Sequence, residues 1–200
     1  MYFNAKDSQA IDRTQPSRQP SRQIHSLGMR VFVAFALTGL LGLTGCGSTP
    51  PVSQKAAGPV DQVVVKKSER RIELLSRGQV VRKYRVALGG SPNGHKYREG
   101  DQRTPVGDYV LNWRNPRSNY YKAIHISYPN EQDKFVSRQL GFNPGGMIML
   151  HGFPNYIQSE SMRRLYTNTD WTHGCIAVQN HEIDEIWNLV PDGTPIRIMP

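Results

Sequence analysis

Cysteine is scarce in this sequence, which has only Cys46 and Cys175 among its 200 residues. So few cysteines exclude a disulfide-rich scaffold, and no Cys-x-x-Cys pair of the kind that holds structural zinc is present. A glycine-rich loop of the kind that cradles nucleotide phosphates is also missing. We therefore expect no metal, nucleotide or organic cofactor.

The sequence also lacks an apolar run long enough to span a bilayer in the usual way. Its apolar stretch, Val31 to Leu43, follows Met29-Arg30 and leads to Cys46, a pattern typical of a secretory signal. The ending Leu43-Thr44-Gly45-Cys46 resembles the lipobox of bacterial lipoproteins, which implies that Cys46 receives a lipid and starts the mature chain. An uncleaved anchor with an incidental Cys46 is the alternative.

These features divide the chain into four parts. Residues 1–28 are polar and are predicted to be disordered or to lie upstream of the true start, and residues 29–45 form the signal peptide. Residues 46–60 form a flexible tether rich in Ser, Pro, Gly and Ala, and residues 61–200 form the folded domain. The lipoprotein resemblance implies a periplasmic protein anchored in the membrane through Cys46, with sorting to the outer membrane.

Acidic residues are outnumbered by basic ones, with 16 Asp and Glu against 25 Lys and Arg, a net charge of +9. Either a solvated basic surface or attraction to anionic polymers or lipid headgroups accounts for this excess. The basic residues are spread along the chain without a basic helix or an RNA-binding signature, so we expect no nucleic-acid partner.

The most informative stretch is Thr172-His173-Gly174-Cys175, which runs into the apolar segment Ile176-Ala177-Val178 as a turn would enter a strand. An unpaired thiol in an exported domain is a candidate nucleophile, and a nearby imidazole or backbone N–H groups could activate it. Gly174 permits a tight turn that frees the Gly174 and Cys175 amides to stabilise an oxyanion. A Cys46–Cys175 disulfide is the structural alternative, which the flexible tether beside Cys46 disfavours.

A second histidine, His151, ends the apolar run 147–150 and is followed by Gly152. A base at the end of a buried strand could face the thiol of Cys175. A zinc site is a further alternative, with ligands drawn from His151, His173, Cys175 and His181, although paired ligand spacings are absent.

Short alternating segments predict a mainly β domain, sandwich-like or barrel-like, with one or two packed helices. The predicted strands are 63–65, 72–75, 80–88, 108–113, 123–128 and 195–199, with a hairpin turn at Arg77-Gly78. One helix is predicted at 130–140 with its inner side formed by Phe135, Val136 and Leu140. A second helix is predicted to start with Asn180 as its N-cap and to present Ile183, Ile186, Trp187 and Val190.

Three of these segments together resemble the catalytic domain of the YkuD-type L,D-transpeptidases, over roughly residues 61–200. They are Thr104-Pro105-Val106-Gly107, the strand ending in His151-Gly152, and Thr172-His173-Gly174-Cys175. The resemblance implies a mostly β sandwich with the cysteine in a cleft. It also implies peptidoglycan stem peptides as partners: family members attack the bond between the L-centre of meso-diaminopimelate and D-alanine, and pass the acyl group to an amine, in some cases of a wall-attached lipoprotein.

Carried over by position, the resemblance makes Cys175 the nucleophile and His151 the general base, oriented by the Gly152 carbonyl. His173 would polarise the site and position the thiol, and the sequence leaves open which histidine is the base. The candidates for contacts with substrate in the cleft are Thr172, His125, Tyr156 and Trp171.

Two features depart from the family pattern. Ala177 stands where many members have an arginine, which removes a candidate anchor for a substrate carboxylate. The insertion 153–171 is interpreted either as a lid over the cleft or as a packed surface loop. A subgroup with this Cys-Ile-Ala-Val motif includes members thought to hydrolyse wall linkages, so hydrolysis is the alternative reaction. An inactive wall-binding lipoprotein is the alternative outside enzymes.

Overall fold

The computed structural model describes residues 58–200. The predicted segments 1–28 and 29–45, the predicted lipidation site Cys46 and most of the predicted tether 46–60 lie outside the described residues. Within the described range, no helix combines the length and the apolar character that crossing a membrane requires.

One sheet of eight strands, curled into a half-barrel, carries three helices, which confirms the mainly β prediction. Residues 58–200 form three helices, where one or two were predicted. The strands lie in the order β3-β2-β1-β8-β4-β5-β6-β7. In chain order the elements are β1 (Gln62–Lys66), β2 (Arg71–Ser76), β3 (Gln79–Arg85), β4 (Gly107–Ser118), β5 (Tyr121–Ile126), α1 (Glu131–Gln139), β6 (Met149–His151), α2 (Glu160–Asn168), β7 (Ile176–Ala177), α3 (Asn180–Leu189) and β8 (Thr194–Met199).

The last strand lies in the middle of the sheet. β8 runs parallel to β1 and antiparallel to β4. Thr194, Ile196 and Ile198 are buried, whereas the residues between them are exposed, because successive side chains of a strand point to opposite faces. The buried face of β8 joins Val63 and Val65 of β1 in the core.

The inner face of α1 is polar, so the prediction of Phe135, Val136 and Leu140 as its inner side was wrong. Phe135 and Leu140 are about half exposed, whereas Asp133 and Ser137 are buried. Hydrogen bonds explain this orientation: Asp133 accepts from the Asn130 backbone N–H and from the Tyr109 hydroxyl, and Ser137 donates to the Tyr97 carbonyl.

Helix α3 follows Gln179, which is the N-cap in place of the predicted Asn180. The Asn180 side chain is engaged elsewhere, since its Oδ1 accepts the Phe153 backbone N–H at 2.8 Å. As predicted, Ile183 and Ile186 pack into the core.

Helix α2 was not predicted. It lies within the insertion 153–171, begins after the N-cap Ser159 and buries none of its residues. Met162, Leu165 and Tyr166 recur at helical spacing within it, so the sequence did carry a short signal for this helix.

Candidate active site

A groove of about 450 Å³ opens over the strands β4 to β7. Six predicted site residues line it: His151, Tyr156, Trp171, Thr172, His173 and Cys175. The other lining residues are Trp113, Asn115, Ser118, Asn119, Tyr120, Ala123, Met147, Met149 and Tyr166. His125 is not among them; its ring stacks against Trp113 at the groove's margin, with ring centroids 4.8 Å apart.

The pairing of two short strands brings the predicted histidine to the thiol. β6 and β7 are parallel, with Leu150 opposite Ile176 and His151 opposite Ala177. Paired residues share a face of the sheet, so His151 and Ala177 lie on one face. Cys175 directly precedes β7 and lines the same groove as His151. Residues 24 positions apart in sequence thus line one groove.

The turn before Cys175 is held by Thr172 and requires glycine at 174. Gly174 has φ +126°, and a Cβ there would lie 2.7 Å from the Arg103 carbonyl oxygen. The Thr172 hydroxyl accepts the Gly174 N–H at 3.1 Å and donates to the Cys175 carbonyl at 2.8 Å. Of the two predicted oxyanion donors, the Gly174 amide is therefore already engaged, whereas within residues 58–200 the Cys175 amide has no acceptor.

The thiol of Cys175 is free and partly exposed in the part of the chain that the structure describes. Its Sγ lies 3.8 Å from the Met147 carbonyl oxygen. Burial raises the pKa of the Cys175 thiol, and a hydrogen bond from the Met149 backbone N–H opposes that rise. The thiol is therefore protonated at neutral pH and needs a base to remove its proton during attack.

His151 is buried, and its imidazole is fixed in one orientation. The Nδ1 atom lies 2.7 Å from the Gly152 carbonyl oxygen. Because a carbonyl oxygen only accepts, Nδ1 carries the hydrogen and Nε2 keeps its lone pair. Burial lowers the pKa of His151 to about 4, with the carbonyl partly opposing this shift. The imidazole is thus a neutral base at physiological pH.

Aromatic side chains enclose His151. The Tyr120 ring lies 4.6 Å from the imidazole and the Trp171 ring 5.7 Å from it, measured between centroids. Helix α2 contributes Tyr166, whose carbonyl accepts the Trp171 indole N–H at 3.0 Å and whose hydroxyl lies 3.1 Å from that of Tyr156. The insertion 153–171 thereby builds an aromatic wall along the groove.

The two histidines differ in environment. His173 is exposed on the turn beside the thiol, whereas His151 is about 2% exposed and held by a backbone acceptor. Gly152 is itself confined, since a Cβ there would meet the Asn180 Oδ1 atom at 2.7 Å. His151, with its Nδ1–H held by a backbone carbonyl and its Nε2 lone pair left over, is the better placed of the two for general-base chemistry.

An ion pair that the sequence did not reveal lies next to the turn before Cys175. The Arg70 guanidinium donates to the Asp170 carboxylate at 2.9 Å from Nε and 2.7 Å from Nη2. Asp170 also accepts the Leu88 backbone N–H at 3.0 Å. A separation of 100 residues between the two charges leaves no local signal of this pair.

The zinc alternative requires ligands that the fold does not bring together. His181 follows the N-cap of α3 and does not line the groove that contains His151, His173 and Cys175. Among residues 58–200, no group of three or more His, Cys, Asp or Glu side chains could hold a metal ion. The groove instead contains the thiol, base and amide donor that acyl transfer uses.

Known proteins share this domain. The family model of the L,D-transpeptidase catalytic domain, YkuD, matches residues 61–198. YafK of Escherichia coli strain K12, provisionally named an L,D-transpeptidase, is 32% identical over an alignment of 174 residues, which covers 82% of this chain and 61% of that protein. The chain thus spans about three fifths of that relative's length.

A solved structure agrees with the sequence match. Pgp2, a helical cell shape determining protein from Campylobacter jejuni, superposes with a TM-score of 0.52 at 29% identity, over 70% of this chain and 46% of that one. The family match spans the whole described sheet and both histidine segments of the groove. The chain therefore belongs to the L,D-transpeptidase catalytic domain family.

Proposed function

We propose that this protein is a cysteine acyl transferase acting on peptidoglycan stem peptides, with Cys175 as nucleophile. The scissile bond is that between the L-centre of meso-diaminopimelate and the terminal D-alanine of a tetrapeptide stem. The observation that carries the proposal is the arrangement of the groove, which is lined by both the Cys175 thiol and His151, with His151 held by the Gly152 carbonyl. Membership of the family supports this substrate class.

The acylation step starts from a neutral pair. As the Cys175 sulfur bonds to the substrate carbonyl carbon, Nε2 of His151 takes the thiol proton, and the carbonyl electrons move to oxygen. The Cys175 amide donates to that oxyanion. When the C–N bond breaks, the imidazolium returns its proton to the leaving amine of D-alanine, and a thioester on Cys175 remains.

Deacylation follows the steps of acylation in reverse order. An acceptor amine attacks the thioester carbon and gives its proton to His151, and the sulfur leaves and regains that proton. The product is a new amide bond and a regenerated thiol. A second meso-diaminopimelate amine would give a 3-3 crosslink, and a lysine amine of a wall-attached lipoprotein would join that protein to the wall.

Hydrolysis is the second candidate function, and the charge of the groove favours it. None of the residues that line the groove is Lys, Arg, Asp or Glu, and the position that many members fill with arginine is the buried Ala177 beside His151. A groove without a fixed cation holds a free substrate carboxylate weakly. Such a groove suits linkages in which the carboxylate of the leaving group lies outside the groove. Water would then be the acceptor of the acyl group.

The cellular setting is a further part of the proposal. The sequence segment 43–46 supports lipid attachment at Cys46, which would hold the domain at the periplasmic face of the outer membrane. Expression with a radiolabelled fatty acid tests this. We expect labelled protein from the unchanged chain and none from Cys46→Ala, and equal labelling of the two would refute the anchor.

The reaction is tested by incubating the protein with purified tetrapeptide muropeptides and analysing intermediates and products by mass spectrometry. We expect crosslinked dimers and free D-alanine, and neither product from Cys175→Ala. Cleaved stems or dimers without new crosslinks would establish the hydrolase. Turnover that persists in Cys175→Ala would remove the nucleophile, and unchanged substrates would leave only a wall-binding role.

A further inference from the structure

A β-bulge in β4 lies beside the groove. β4 and β5 pair at Leu111–Ile126 and next at Arg114–Ile124, so Asn112 and Trp113 together face a single residue of β5. Such bulges re-aim side chains and occur often beside active sites. Here the bulge directs Trp113 into the groove lining.

The indole ring of Trp113 is held flat against a neighbouring ring. Its ring lies 4.8 Å from that of His125, at an angle of 14°. The His125 ring is itself fixed, because its Nδ1 atom lies 2.7 Å from the Asn112 Oδ1 atom. Trp113 remains 39% exposed although its ring is stacked on His125. A rigid, exposed indole costs little entropy when a ligand stacks on it.

The spacing of the strands sets the distance between Trp113 and the Cys175 thiol. On neighbouring strands, Trp113 stacks on His125 and His125 pairs with Met149. Met149 and Cys175 each lie one residue before the paired Leu150 and Ile176 of β6 and β7. The row crosses three inter-strand spacings of roughly 4.8 Å each, or about 14 Å. Trp113 and Cys175 therefore mark opposite ends of a continuous groove.

This length matches the substrate of the proposed function, on which the inference rests. From the attacked carbonyl of the third stem residue back to the sugar there are three residues, each about 3.5 Å when extended. They account for roughly 10 Å, and the acyl ether that joins the first residue to the sugar adds a few ångströms. A stem with its third carbonyl at Cys175 would place the sugar at Trp113.

We propose that Trp113 forms a saccharide subsite, which binds the N-acetylated hexose ring that carries the stem peptide. The negative face of an indole attracts the C–H groups on the face of a sugar ring. Asn115, Ser118 and Asn119 line the groove nearby and can bond to hydroxyl and acetamido groups. The sugar is neutral because its carboxyl is consumed in the amide to the stem, which suits a groove with no charged lining residue.

The first test compares a tetrapeptide that carries its disaccharide with the same tetrapeptide without sugar. We expect kcat/KM to be about tenfold higher for the disaccharide substrate, as loss of one aromatic anchor commonly costs such a factor. Trp113→Leu should abolish this ratio and Trp113→Phe should keep part of it. The control Phe135→Ala, which removes an exposed aromatic outside the groove, should leave the ratio unchanged. Equal kcat/KM for both substrates in the unchanged protein would overturn the subsite.

The second test does not depend on turnover. In the Cys175→Ala protein, tri-N-acetylchitotriose should shift the indole N–H resonance of Trp113 in NMR spectra, while maltotriose, which lacks acetamido groups, should bind at least tenfold more weakly. A Trp113 resonance that does not move at saturating chitotriose would overturn the proposal. If the protein turns over no stem peptide but binds chitotriose at Trp113, the proposed reaction fails and the saccharide subsite stands.

Discussion

Substitution of Gly174 by alanine should impair activity far more than a matched glycine substitution elsewhere. At φ +126° an alanine is strained by about 1–3 kcal/mol, and its Cβ would lie 2.7 Å from the Arg103 carbonyl oxygen, so the turn must shift. We expect a loss of about 3 kcal/mol in the free energy of unfolding. At roughly 2–4 °C per kcal/mol, the Tm should fall by about 6–12 °C.

The matched control is Gly78→Ala in the β2–β3 hairpin. Gly78 has φ +75°, but a Cβ there would meet no atom within 4 Å, so only the backbone strain of about 1 kcal/mol applies. Calorimetry measures both Tm values, and turnover of tetrapeptide muropeptides measures function. A shift of the thiol by about 1 Å should lower kcat/KM by about 100-fold in Gly174→Ala, whereas Gly78→Ala keeps it. Full activity in Gly174→Ala would refute the reasoning.

Two further predictions concern charge and pH. Asp170→Asn keeps an acceptor for the Leu88 N–H but loses the charge that pairs with Arg70, so it should lower the free energy of unfolding by about 1–3 kcal/mol and lower kcat as well. The control Asp108→Asn removes one partner of an exposed ion pair with Arg197 and should change the free energy of unfolding and kcat by little. Equal effects of the two substitutions would contradict a positioning role for Asp170. His151 binds a proton near pH 6.5 when unfolded but only near pH 4 when folded, so folding stability is full above about pH 6.5 and falls by about 3 kcal/mol as the pH drops to 4, measured by urea unfolding. In His151→Gln this pH-dependent loss should disappear, and its persistence would show that another group causes it.

Much of the site was predictable because its signals are local. A turn residue, a thiol and an apolar strand stand side by side at 172–178, and the alternation of β8 marks its buried face. The hairpin at Arg77-Gly78 follows from the same local chemistry. Prediction failed where packing overrode pattern: the inner face of α1 is formed by Asp133 and Ser137 because hydrogen bonds, not apolar contacts, hold that helix.

The sequence by itself determined which residues have the chemistry of the site and which strands are half-buried, since both depend on residue type and on spacing along a few positions. The tertiary structure alone decided which strands are neighbours. Parallel pairing of β6 with β7 set His151 beside the strand of Cys175, burial made its imidazole a neutral base, and the bulge in β4 turned Trp113 into the groove. Alternation specifies the face of a strand but not its partner or register, because these depend on contacts between residues far apart in the chain.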